Sequence, residues 1–215
     1  MSDTKDYFKE AFIVIIIFGA LILNTHLKYA YTKFPKTPIE PFSEPVQEMI
    51  DDSSTEFTIN DDNKIVKIIP VAKYKVYARV LAIQHQKSMD VYNKIVPFDI
   101  ALGWRGMATR KAAKHIKILQ SQRQSSWMAF AGPPLNCQEI QSMYSNNHVI
   151  PANKNIYKSL KKVRKKDAIY LEGFLVNVQS GKNGKEQMLT SLSRTDAGCE
   201  VIYVTRVVTK NGEFK

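Results

Sequence analysis

His148, Ser191, Ser193, Arg194, Asp196, Cys199 and Glu200 are the residues whose types could carry chemistry, and six of the seven crowd into SLSRTDAGCE at 191–200. A hydroxyl or thiol, an imidazole and carboxylates are the ingredients of a hydrolase. Such an enzyme needs a nucleophile, a base within hydrogen-bond reach and a site for the oxyanion. Neither serine lies in a G-x-S-x-G or comparable signature. His148, Arg194 and Asp196 form the polar cluster that would serve a catalytic reading. Against it stands a structural one, in which His148 and Asn147 order a loop before a helix while Arg194 and Asp196 fix the SRTDAG turn through backbone hydrogen bonds. His85, His115 and His148 are far apart and lack paired cysteine or carboxylate spacing, so no metal site is expected. The nine glycines are scattered and form no phosphate-binding loop, and no cofactor is expected.

The densest charged feature is residues 158–166, where Lys158, Lys161, Lys162, Arg164, Lys165 and Lys166 make six of nine positions basic. Such a segment could hold phospholipid headgroups, an acidic polymer or nucleic acid; its plainer role is a solvated helix face. Cys137 and Cys199 are a candidate disulfide. The bridge would close a loop of about 62 residues, for which chain entropy alone gives about 4 kcal/mol. The alternative is two unpaired thiols.

These features must be positioned by a chain of 215 residues that is 44% hydrophobic and 24% charged, with a formal charge of +11. That composition excludes a disordered chain, a polytopic membrane protein and a disulfide scaffold. Residues 1–10 read as a short tail. Residues 11–27 begin with AFIVIIIFGALIL and read as a transmembrane anchor: seventeen residues at about 1.5 Å each reach about 26 Å, enough to cross if Lys9 and Lys28 snorkel. The brevity of the tail favours a cytoplasmic N-terminus, which makes the expected setting a single-pass inner-membrane protein with a periplasmic C-terminal domain. Residues 28–63 read as a linker; within it residues 37–63 hold three prolines and eight acidic residues with no Lys or Arg. Residues 64–215, with 26 Lys and Arg against 9 Asp and Glu, read as a basic globular domain.

Within that domain residues 71–83, VAKYKVYARVLAI, alternate with the period of a strand buried on one face. Residues 91–107 read as an irregular apolar loop or short edge strand. Thr109 can cap a helix running to Leu119 or Gln120, with Ala112, Ala113, Ile116 and Leu119 at helical spacing. A second helix is expected over 153–166, with Ile156, Leu160 and Val163 as its buried stripe. Strands follow at 168–178, 186–192 and 200–208, the first two joined by an Asn183-Gly184 turn signal. The expected fold is α+β, a small, mostly antiparallel sheet with two helices preceded by one transmembrane helix. A partly open barrel of the OB type is the alternative arrangement of the same strands.

The strings VPFDIALGW (96–104), ILQSQR (118–123), SNNHVIPA (145–152), LEGFLV (171–176) and SLSRTDAGCEVIYV (191–204) resemble an uncharacterised family of Gram-negative envelope proteins with an N-terminal hydrophobic anchor. The resemblance spans roughly residues 73–208. Gln187 and Met188 stand where members of the family tend to carry tryptophans. It implies an envelope setting and assigns no activity. The expected function is a membrane-anchored, noncatalytic envelope module that binds a protein partner or an anionic surface through its basic face. The inner membrane is contacted through residues 11–27, and nucleic acid is a partner only if the domain is cytoplasmic. The alternatives are a small hydrolase acting on an envelope polymer or lipid, and an accessory subunit of a secretion or DNA-transfer machine.

Overall fold

The computed structural model describes residues 15–17, 19, 35–51, 56–61, 64–86, 94–180, 186–193 and 199–215. Its backbone is organised by the strand that the alternation at 71–83 announces, which extends over 22 residues as β3 (Lys64–His85). β3 follows β1 (Val46–Met49) and β2 (Phe57–Asp61), both of which pair with it antiparallel. After it come β4 (Phe98–Gly103), a 3-10 turn (Arg105–Ala108), α1 (Arg110–His115), β5 (Ile116–Ser121), β6 (Gln124–Ala129) and α2 (Cys137–Ser142). The chain continues through β7 (Tyr144–Pro151), α3 (Lys154–Leu160), β8 (Ala168–Ser180), β9 (Glu186–Met188), β10 (Cys199–Thr209) and β11 (Gly212–Phe214).

Nine strands form one mixed sheet, and β5 and β6 form a separate hairpin. Five of the nine close on themselves: β3 pairs β4, β4 pairs β7, β7 pairs β10, β10 pairs β8 and β8 returns to β3. Only β7 with β10 is parallel among these contacts. The closure depends on β3 bending, and its register shifts at Pro70/Ala72 and Val80/Ala82 are the bulges that let one strand serve two neighbours around the ring. Inside the ring, Tyr74, Val76 and Val80 of β3 meet Phe98, Ile100, Leu102, Val149, Leu171, Leu175, Ile202 and Val204, with Ile156 and Leu160 of α3 and Val163 beyond it packed into the same core.

Gly173 is required by this closure. A Cβ there would lie 2.0 Å from the Tyr203 carbonyl oxygen, on the facing backbone where Gly173 pairs with Val204. Gly173→Ala is expected to destabilise the protein by about 3 kcal/mol, because the backbone of β10 must move to admit the methyl group. Urea denaturation measures this, and a change below about 1 kcal/mol, the range of a tolerated swap, would show that β8 and β10 are not pressed together as described.

Several expectations are corrected. The small α+β sheet with two helices gives way to a mostly β molecule with a large mixed sheet and only short helical segments among the described residues. The apolar run at 91–107 contains β4, a ring strand buried along its whole length rather than an edge or loop. The helix from Thr109 stops at His115: Thr109 does cap it, accepting from the Ala112 amide, but Ile116 and Ile118 are buried in strand alternation with Lys117 and Leu119 outward. Beta-branched residues with a period of two belong to a strand, and the alanines upstream mimic its first helical turn. The helix at 153–166 stops at Leu160.

The expected transmembrane anchor over residues 11–27, with its single-pass inner-membrane setting and periplasmic domain, is also corrected. Among the described residues no helix is long and apolar enough to cross a membrane. Of that stretch, residues 15–17 and 19 are described, as helix within the unit Met1–Lys33; the remainder lies outside the described residues. In the unit Phe34–Lys215, β1 and β2 belong to the sheet although they fall within the stretch read as linker.

Candidate active site

On the outside of the ring, the register of β4, β7 and β10 assembles a polar group from three strands. Asp99 of β4 faces His148 of β7, and Asn146, two residues before His148 on the same side of β7, faces Cys199 of β10. Both Asp99 and Asn146 are fully buried, and His148 is 6% exposed. Apolar walls bound the group at both ends. Ala101, Ile118 and Tyr144 lie on one side, and Ile95, Val96, Ile150 and Val201 on the other.

His148 is the centre of the array. Its Nδ1 lies 2.7 Å from Asp99 Oδ1, and the Cys199 side chain interacts with the same ring. Burial alone would lower the imidazole pKa, but the hydrogen bonds to Asp99 and Cys199 and the charges of both outweigh it and push the value up to about 9. The reciprocal effect falls on Cys199. The His148 hydrogen bond holds its thiol below the ordinary cysteine value, against burial, and the Asn146 carboxamide adds to the lowering. Two electrically balanced forms of the site therefore differ by one proton passed between the Cys199 thiol and the His148 imidazole. The directions of both shifts favour the thiolate–imidazolium form.

Asp99 is held from three directions. Arg123 donates from a terminal guanidinium nitrogen to Oδ1 at 3.1 Å, and Gln86 donates from Nε2 to Oδ2. A carboxylate with 1% side-chain exposure needs such partners, because an uncompensated charge in that environment costs several kcal/mol. Arg123 also donates to the Val96 carbonyl at 3.1 Å, and its own carbonyl accepts from Asn146 Nδ2 at 2.8 Å.

Arg123 reaches this place by an unusual turn. The β5–β6 hairpin pairs Ser121 with Gln124, so Gln122 and Arg123 form a two-residue loop, with φ of 49° and 64°. Such loops favour Asn-Gly because both residues need the left-handed region. Two long side chains there cost of order 1 kcal/mol each, a local strain held by the contacts of the hairpin tip with Asp99, Asn146 and Val96.

Of the residues singled out from sequence, His148 and Cys199 are brought together. Arg194 and Asp196 lie outside the described residues, so the cluster of His148 with them is not described. Cys137 and Cys199 are both free thiols, the first exposed at the start of α2 and the second half-buried in the site. The basic segment does not form one helical face: Lys158 is on α3, while Lys161, Lys162, Arg164, Lys165 and Lys166 follow its end. All six are exposed, and the Arg164 guanidinium donates to the carbonyls of Lys161 and Val163 at 2.8 and 2.9 Å. No group of three or more potential metal ligands occurs among the described residues.

Sequence reasoning missed Asp99, Asn146, Gln120, Arg123 and Gln86 as site residues. A usable signal existed for Asp99, the lone charge in the apolar run VPFDIALGW. Such a residue must be solvated by partners of its own if the run is buried. No protein-family model, curated protein or solved structure matches the chain.

Proposed function

We propose that the protein is a thiol-dependent acyl-transfer enzyme, a hydrolase of an ester, thioester or amide, with Cys199 as nucleophile. The observation that carries the reading is the placement of the His148 ring between the Asp99 carboxylate and the Cys199 thiol on three adjacent strands. A nucleophile, a base and an orienting carboxylate gathered in one place are what this chemistry requires. This reading takes precedence over the noncatalytic binding module suggested by composition, because exposed lysines are common on a basic protein and a buried carboxylate–imidazole pair beside a thiol is not.

In the reaction, Cys199 Sγ attacks the carbonyl carbon and the carbonyl π electrons move to oxygen. The tetrahedral species collapses as the leaving group takes the proton from His148 Nε2, giving an acyl-cysteine. Water then attacks with Nε2 as its base, and the thiolate and imidazolium are restored. Asp99 keeps Nδ1 protonated and the ring in place, while Arg123 and Gln86 keep Asp99 in place. The rate should follow a bell-shaped pH profile, rising as Cys199 ionises below the usual cysteine range and falling as His148 loses its proton near pH 9.

The test uses p-nitrophenyl acetate with the full chain. One equivalent of p-nitrophenol should be released in a burst, with the acetyl group found by peptide mass spectrometry on Cys199. Cys137→Ser should retain the burst and Cys199→Ala should lose it. An acetyl group carried elsewhere, or equal acylation of Cys199→Ala, would count against the reading.

A further inference from the structure

The geometry points to the Asn146 carboxamide as the oxyanion donor of this site, with Gln120 as the positioning residue that aims it, an inference that rests on the acyl-transfer reading above. Asn146 is fully buried in the middle of β7, where asparagine is a poor strand former and a buried amide must be satisfied. Its hydrogen bonds leave one orientation. Oδ1 accepts from Gln120 Nε2 at 2.8 Å, so the oxygen faces the hairpin, and Nδ2 donates to the Arg123 carbonyl at 2.8 Å and to Cys199 Sγ at 3.7 Å. Gln120 is fixed in turn, since Nε2 also donates to the Asp99 backbone carbonyl at 3.3 Å.

The N–H that faces sulfur in the resting protein is the one in reach of an oxygen on a carbon bonded to that sulfur. As the Sγ–C bond forms and the carbonyl π pair moves to oxygen, the hydrogen bond from this N–H passes from sulfur to the oxyanion. The electron pair returns to carbon when the leaving group departs with the His148 proton. A donor held in advance by Gln120 and the Arg123 carbonyl needs no reorganisation at that moment, which is the condition for strong electrostatic stabilisation. Gln120 touches no reacting atom and acts only through Asn146.

Two rates separate this role from a general one: acylation by p-nitrophenyl acetate, and alkylation of Cys199 by iodoacetamide, which passes through no oxyanion. Both are measured on the Cys137→Ser chain at their pH plateaus, so that an altered thiol pKa drops out. Asn146→Ala is expected to slow acylation about 10²–10³-fold while alkylation changes less than about threefold. Gln120→Glu removes the donor to Oδ1 and should turn the carboxamide over, reproducing the Asn146→Ala loss with alkylation retained. If Asn146→Ala fails to fold, Asn146→Asp is the isosteric substitute that lacks the donor, and the same selective loss is expected. Retained acylation in Asn146→Ala or Asn146→Asp overturns the assignment, and so does a parallel loss of both rates. Retained acylation in Gln120→Glu overturns the positioning role. Absence of acylation in the protein with Asn146 and Gln120 intact removes the acyl-transfer reading and this inference together.

Discussion

His148→Gln should slow acylation of Cys199 at neutral pH by about 10²–10⁴-fold, the usual contribution of a positioned acid–base group. Glutamine keeps much of the volume and a donor toward Asp99, so the three strands stay paired and the loss is chemical. Two effects combine in it. The thiol loses the hydrogen bond that lowers its pKa most, so less thiolate is present, and the leaving group loses its proton donor. The ascending limb of the pH profile should shift to higher pH and the descending limb near pH 9 should vanish, because the group that produces it is gone. Stopped-flow measurement of p-nitroaniline release from an acyl p-nitroanilide, whose leaving group must take up a proton to depart, checks both limbs across pH; an unchanged profile would mean that the imidazole plays no part.

Asp99→Ala should cost about 3–5 kcal/mol of stability, the range for breaking a buried charge pair by removing one partner. The carboxylate is fully buried, and Arg123 and His148 both lean on it. Its removal leaves Gln86 without its acceptor as well and takes away one of the contacts that hold the strained hairpin tip. Asp99→Asn should cost less, since the shape and part of the hydrogen bonding survive, but it should still lower the His148 pKa. Urea denaturation gives the first quantity and titration of the histidine C2 proton by NMR gives the second. A loss of under about 1 kcal/mol for Asp99→Ala would place the carboxylate in solvent rather than under the hairpin, since only exposed pairs are worth so little.

The parts of this architecture that were legible are those in which local pattern and burial agree. Lys73, Lys75 and Tyr77 alternating with Tyr74, Val76 and Ala78 made β3 readable, and the apolar strings at 168–178 and 200–208 did the same for β8 and β10. β7 was hidden because Ser145, Asn146 and Asn147 are loop-like residues whose burial is tolerated only through tertiary hydrogen bonds. Asn147 donates to the Ile100 carbonyl, and Asn146 is held by Gln120 and Arg123. The β5–β6 hairpin was hidden because Gln122-Arg123 carries none of the usual turn chemistry. A turn that breaks its local rule beside a buried carboxylate fits the tendency of functional sites to hold such violations.

The same logic explains the half-read site. His148 and Cys199 stood out by type, but their meeting depends on β7 and β10 being parallel neighbours in a closed ring, which no local pattern encodes. Without that contact, Cys199 read as half of a disulfide and His148 as a partner of Arg194 and Asp196. Asp99 lies 49 residues before His148, and the pair exists only through the antiparallel register of β4 and β7.

The proposed chemistry requires Cys199 to be a thiolate paired with an imidazolium. It is tested most directly by the pH titration of thiolate ultraviolet absorbance in the Cys137→Ser protein, with Cys137→Ser/Cys199→Ser as the blank. The expected curve ionises below about 8.5, the value of an unperturbed cysteine, and moves upward in His148→Gln. A thiol that titrates at or above that value, and is indifferent to His148, would contradict the account.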